Sequence, residues 1–122
     1  MPRVIHFELG ADDPERATQF YSDVFGWHIE KWAGPEDYWL LKTGEDNELG
    51  INGGIMRRNP HMPPTVNTID VPSVDEYVAK ITASGGTVVV PKMAVTSIGY
   101  LAYCQDPEGN MFGIMQNDPS VT

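Results

Sequence analysis

Gly54-Ile55-Met56 returns 59 residues later as Gly113-Ile114-Met115, and the run Ile5 to Leu9 aligns with Thr65 to Ile69 at an offset of 60. In a chain of 122 residues such a period leaves few architectures open: one supersecondary unit made twice, both copies within a single domain, 1–122. The modules fall at about residues 1–58 and 65–118. Between them, the segment Asn-Pro-His-Met-Pro-Pro at 59–64 continues neither strand nor helix and reads as a linker.

Each module reads β-α-β-β-β. Val4 to Leu9 alternates, with Ile5, Phe7 and Leu9 on one face and Val4, His6 and Glu8 on the other. Asp13 is placed to cap a helix that opens on Pro14 and stops at Gly26; the spacing predicts one buried stripe of Ala17, Phe20, Tyr21 and Val24. Strands are expected at Trp27 to Trp32, Asp37 to Thr43 and Ile51 to Arg57. In the second module the strand Thr65 to Val71 leads to a helix opened by Ser73 or Asp75 and stopped by Gly85-Gly86. Strands at Thr87 to Val90, Tyr100 to Gln105 and Asn110 to Gln116 follow, with Lys92 to Gly99 as a loop. Asp106-Pro107-Glu108-Gly109 carries turn chemistry ahead of the last strand.

His6, Asp12-Asp13, Phe20-Tyr21 and Phe25-Gly26-Trp27, together with the closing Asp-Pro-Glu-Gly-Asn turn, resemble the vicinal-oxygen-chelate superfamily. Its members include glyoxalase I, bleomycin-resistance proteins, extradiol dioxygenases and methylmalonyl-CoA epimerase. The resemblance implies an α+β fold of two tandem βαβββ modules forming a half-open, cup-shaped, eight-stranded mixed sheet, with ligand in the concave side. It also implies where a metal would sit in the metal-dependent members: one ligand from the first and one from the last strand of each module. Those positions hold His6, Gly54 (or its neighbour), Val66 and Gly113 here. A divalent ion needs three or more imidazole or carboxylate donors at about 2.0–2.2 Å, and one histidine among two glycines and a valine does not supply them. No metal ligand set and no cofactor is therefore expected.

Alternation directs His6, Glu8, Asn52, Met56, Thr68 and Met115 toward the concave side, and Tyr100 is added as a stacking surface; these are the expected ligand-binding residues. His6 and Glu8 are also the candidate catalytic pair, a glutamate beside an imidazole being an acid–base arrangement. The plainer alternative is a hydrogen-bonded structural pair. Two functions follow. The first is metal-independent binding of an apolar or aromatic small molecule, as in bleomycin-resistance proteins. The second is a glyoxalase-like lyase, isomerase or dioxygenase that uses a divalent metal or the His6/Glu8 pair. A homodimer is implied by the resemblance.

Charge narrows the partners. A net charge of −9 disfavours nucleic acid and anionic membrane surfaces, both polyanions. The one cysteine, Cys104, allows no internal disulfide, and residues 1–10 lack the basic start and apolar core of a signal peptide, so a cytoplasmic setting is expected.

Overall fold

The computed structural model describes residues 2–122. The elements run β1 (Val4–Ala11), α1 (Pro14–Phe25), β2 (His28–Lys31), β3 (Tyr38–Lys42), β4 (Asn52–Arg57), β5 (Thr65–Asp70), α2 (Val74–Ala83), β6 (Thr87–Val95), β7 (Gly99–Gln105) and β8 (Met111–Asn117). This is the expected α+β fold with an eight-stranded mixed sheet. The chain divides into two compact units: His6–Val66, called the first unit, and the residues before His6 with Asn67–Thr122, called the second.

In the first unit the strands lie in the order β2-β3-β4-β1. β1 and β4 are parallel, the long connection between them running through α1, β2 and β3, while β2–β3 and β3–β4 are antiparallel. Trp39, Leu41 and Ile55 form the buried core, joined by Phe7, Leu9, Ala17, Tyr21, Trp27 and Ile29. α1 begins where the Asp13 side chain accepts from the Arg16 amide at 3.2 Å, and it ends at Gly26, whose φ of 72° suits a residue without Cβ.

The buried stripe of α1 differs from the one expected. Pro14 and Thr18 are buried and Ala17 and Tyr21 pack on the core, whereas Phe20 and Val24 are 54% and 57% exposed. Phe20 sits one residue step, about 100° round the axis, from Tyr21, so a stripe centred on residues 14, 18 and 21 turns it outward.

The second unit repeats the plan in the order β5-β8-β7-β6, with β5–β8 parallel and the other pairs antiparallel. Its own core is Val71, Val74, Ala102, Cys104 and Ile114, covered by Tyr77, Val78 and Ile81 of α2. Ser73 caps α2 by accepting from the Glu76 amide at 3.2 Å. The expected loop from Lys92 is instead strand as far as Val95. Shifts of register between Val88 and Val90 and between Val90 and Met93 carry β6 past Pro91, and proline is tolerated there because β6 has a neighbour on one side only. Before β8 the Asp106 carboxylate accepts from the amides of Glu108 (2.8 Å) and Asn110 (2.9 Å), and Gly109 takes φ 83°.

Candidate functional site

Strand alternation sorts the first unit into two faces. Phe7, Leu9, Trp39, Leu41 and Ile55 turn to α1. The opposite, open face carries His6 and Glu8 from β1, Tyr38 and Leu40 from β3, and Asn52, Gly54 and Met56 from β4. The register sets Glu8 beside Gly54 and Gly54 beside Leu40, with Met56 between Gly10 and Tyr38.

Gly54 decides what happens at the centre of this face. A Cβ added there would overlap the Tyr38 hydroxyl, so the phenol leans over the bare backbone. From that position it reaches two residues of β1. The His6 Nε2 lies 2.7 Å from the Tyr38 hydroxyl, which donates to Glu8 Oε2 at 2.9 Å. His6 and Glu8, two residues apart on one face of β1, are thus bridged by a third side chain from another strand. Trp32 lies edge-on to Tyr38 with ring centroids 6.4 Å apart.

The electrostatics favour a neutral imidazole. Burial of His6 holds its pKa below the ordinary value, against an opposing pull from the Glu8 charge. Glu8 is 7% exposed, so the phenol hydrogen bond to its carboxylate is made in a dry setting, where it counts for more than in water.

The family-type metal set does not fit this chain. His6 Nε2 is engaged with Tyr38, a side chain at position 54 would collide with the same phenol, and positions 66 and 113 hold valine and glycine. Among the described residues no group of three or more His, Cys, Asp or Glu side chains is arranged to hold an ion.

Of the other expected site residues, Met56 lies on the open face beside Tyr38, half-buried. Asn52 shares that face, but its amide oxygen accepts from the Thr43 backbone at 3.0 Å and so braces the β3–β4 hairpin. In the second unit Thr68 is 4% exposed and lies opposite Gly113, whose added Cβ would approach Thr68 Oγ1 to 3.0 Å and the Tyr103 ring to 3.4 Å. Met115, two residues along, shares Gly113's side of β8. Tyr100 does not join them. It packs with Ala102, Cys104 and Ile114 on the helix side, its ring under the Lys92 ammonium at 4.4 Å, because a residue at an even position of β7 alternates with Tyr103. Cys104 is buried there too, and desolvation pushes its thiol pKa up, away from nucleophilic use. A groove of about 600 Å³ lies elsewhere in the first unit, between α1 and the ends of β1 and β4, with Leu9, Tyr21 and Ile55 against Arg16 and Arg58.

The sequence model of the Glyoxalase/Bleomycin resistance protein/Dioxygenase superfamily matches residues 3–114. The chain belongs to this superfamily. Within it, the chain is 34% identical over 119 residues to the protein of Mycobacterium bovis named "Putative glyoxylase CFP32", a match covering 92% of this chain and 43% of that protein. It is 26% identical over 116 residues to biphenyl-2,3-diol 1,2-dioxygenase 3 of Rhodococcus globerulus, covering 90% of this chain and 60% of the relative. The chain thus spans about half the length of the relatives it matches. Methylmalonyl-CoA epimerase from Mycobacterium tuberculosis shares the fold with a TM-score of 0.72 at 12% identity, covering 95% of this chain and 88% of that one. No helix among the described residues is long and apolar enough to cross a membrane.

Proposed function

We propose that this superfamily member binds a small apolar or aromatic molecule on the open face of its first unit, through hydrogen bonds and not through a divalent ion. The observation that carries the reading is the Tyr38 phenol over Gly54, bonded to both His6 and Glu8. It replaces a set of charged donors by a hydrogen-bonded group, and Leu40, Met56 and Trp32 give the surroundings an apolar character. A homodimer in the cytoplasm belongs to the same reading.

The test is elemental analysis of untagged protein purified without chelator, followed by thermal-shift screening of aromatic and apolar compounds with and without added divalent ions. Binding that needs no metal, from protein without a stoichiometric ion, supports the proposal. A stoichiometric ion, or shifts that appear only with one, overturns it.

One observation favours a second reading, a glyoxalase-like lyase or isomerase: His6 and Glu8 are joined through a hydroxyl able to pass a proton. His6→Gln and Glu8→Gln should then abolish turnover of a proven substrate. Unchanged turnover in either variant rejects that role for the pair.

A further inference from the structure

The hydrogen bonds at the centre of the open face have a direction. A carboxylate has no proton to give, so at Glu8 the phenol is the donor. A phenol has one proton, so toward His6 its oxygen can only accept. The 2.7 Å contact therefore requires the proton on Nε2 of the imidazole. Burial disfavours the doubly protonated ring, which also carries that proton, and so favours the neutral one. In a neutral imidazole with its proton on Nε2, the other nitrogen, Nδ1, carries a lone pair.

We propose that Tyr38 sets the ligand specificity of this face by fixing His6 as a hydrogen-bond acceptor through Nδ1, so that the ligand is a planar molecule bearing a neutral hydroxyl or N–H and not a carboxylate. The inference rests on the proposed ligand seat and names its chemistry. An anionic ligand group would bring its own lone pairs to the Nδ1 lone pair, near the Glu8 carboxylate and on the face that also carries Glu30 opposite Leu40. A hydroxyl would complete an ordered series of donors: ligand to His6, His6 to Tyr38, Tyr38 to Glu8. Tyr38 acts here through His6 and is a positioning residue.

Three probes of one shape separate the alternatives: 2-naphthol, 2-methoxynaphthalene and 2-naphthoate, titrated calorimetrically into the whole chain. The expected order is naphthol first, about tenfold tighter than the methyl ether, the loss of one buried hydrogen bond, with naphthoate weakest. Long-range proton–nitrogen NMR spectra read the His6 tautomer directly and should show Nδ1 without a proton. Tyr38→Phe, checked for an intact dispersed spectrum, should mix the tautomers and narrow the naphthol preference, and His6→Phe should remove it. Equal binding of naphthol and its ether overturns the inference while leaving the ligand seat standing. Binding of none of the three overturns the seat and the inference together. A proton found on Nδ1, or a preference unchanged in Tyr38→Phe, overturns the inference whatever binds.

Discussion

The phenol of Tyr38 occupies the space that any side chain at position 54 would need. Glycine at that position is thus the condition for the contact between β3 and β1, and the two residues depend on each other across the sheet.

Removing the hydroxyl alone should show what the contact is worth. Tyr38→Phe keeps the ring but takes a donor from the buried Glu8 carboxylate and an acceptor from His6. The expected loss is about 1–3 kcal/mol, the usual result of taking one hydrogen-bond partner from a buried polar group. Urea denaturation of the wild type and the variant measures it; an unchanged midpoint would place the hydroxyl outside the folded-state energetics.

Adding one methyl at position 54 should act through the same phenol. Gly54→Ala forces Tyr38 away and should destabilise the protein by about 1–3 kcal/mol, an ordinary overpacking cost. With Tyr38→Ala already present the space is vacant, so the double variant should lose clearly less than the two single losses combined. Strict additivity in that double-mutant cycle would contradict the overlap.

Acid should weaken the fold in two separate windows. The His6 pKa is lowered from 6.5 chiefly by burial, so between its folded value and 6.5 the unfolded chain binds the more protons. Stability therefore rises with pH across that window and is lost as pH falls below about 6.5. The second window belongs to Asp37, Asp106 and Asp118, lowered from 3.8 by hydrogen bonds from Arg57, Asn110 and Ser120 in turn, whose contribution is present above 3.8 and lost as pH falls through their folded values. Unfolding midpoints of His6→Gln should be flatter than wild type just below pH 6.5 and parallel to it in the lower window. Parallel curves in both would remove His6 from the account.

The exposed side of α1 should tolerate polar change where the sequence pattern suggests a core. Phe20→Ser, which loses little more than an edge contact with Tyr21 at 5.2 Å, should cost about 1 kcal/mol or less. Tyr21→Ser, which removes a ring stacked on Trp27 at 4.9 Å, should cost about 2–4 kcal/mol. Calorimetric melting separates the two, and equal losses would restore Phe20 to the core.

Periodicity and punctuation made most of the architecture readable. Ser73 and Asp13 as caps, Gly26 and Gly109 at positive φ, and the alternation of β1 each express local chemistry that a short window contains. Three features needed distance. The α1 stripe depends on which side meets β4, and an amphipathic pattern with apolar residues on two flanks does not choose. β6 extends past Pro91 because its outer side has no ladder to break, a fact of strand order and not of local sequence. Tyr38 reaches residues 30 and 32 positions away, so nothing near it in sequence marks it. The available signal was the glycine at 54, a vacancy that some neighbouring strand had to fill.

Pro91 and its register shifts also bear on what this chain avoids. β6 ends the strand order on one side, kinked and carrying Lys92; β2 ends it on the other, four residues long and reading His-Ile-Glu-Lys. Neither offers a long, flat, uncharged backbone to an incoming strand. Growth of the sheet by strand addition from another molecule, the route to fibrils, is disfavoured at both edges.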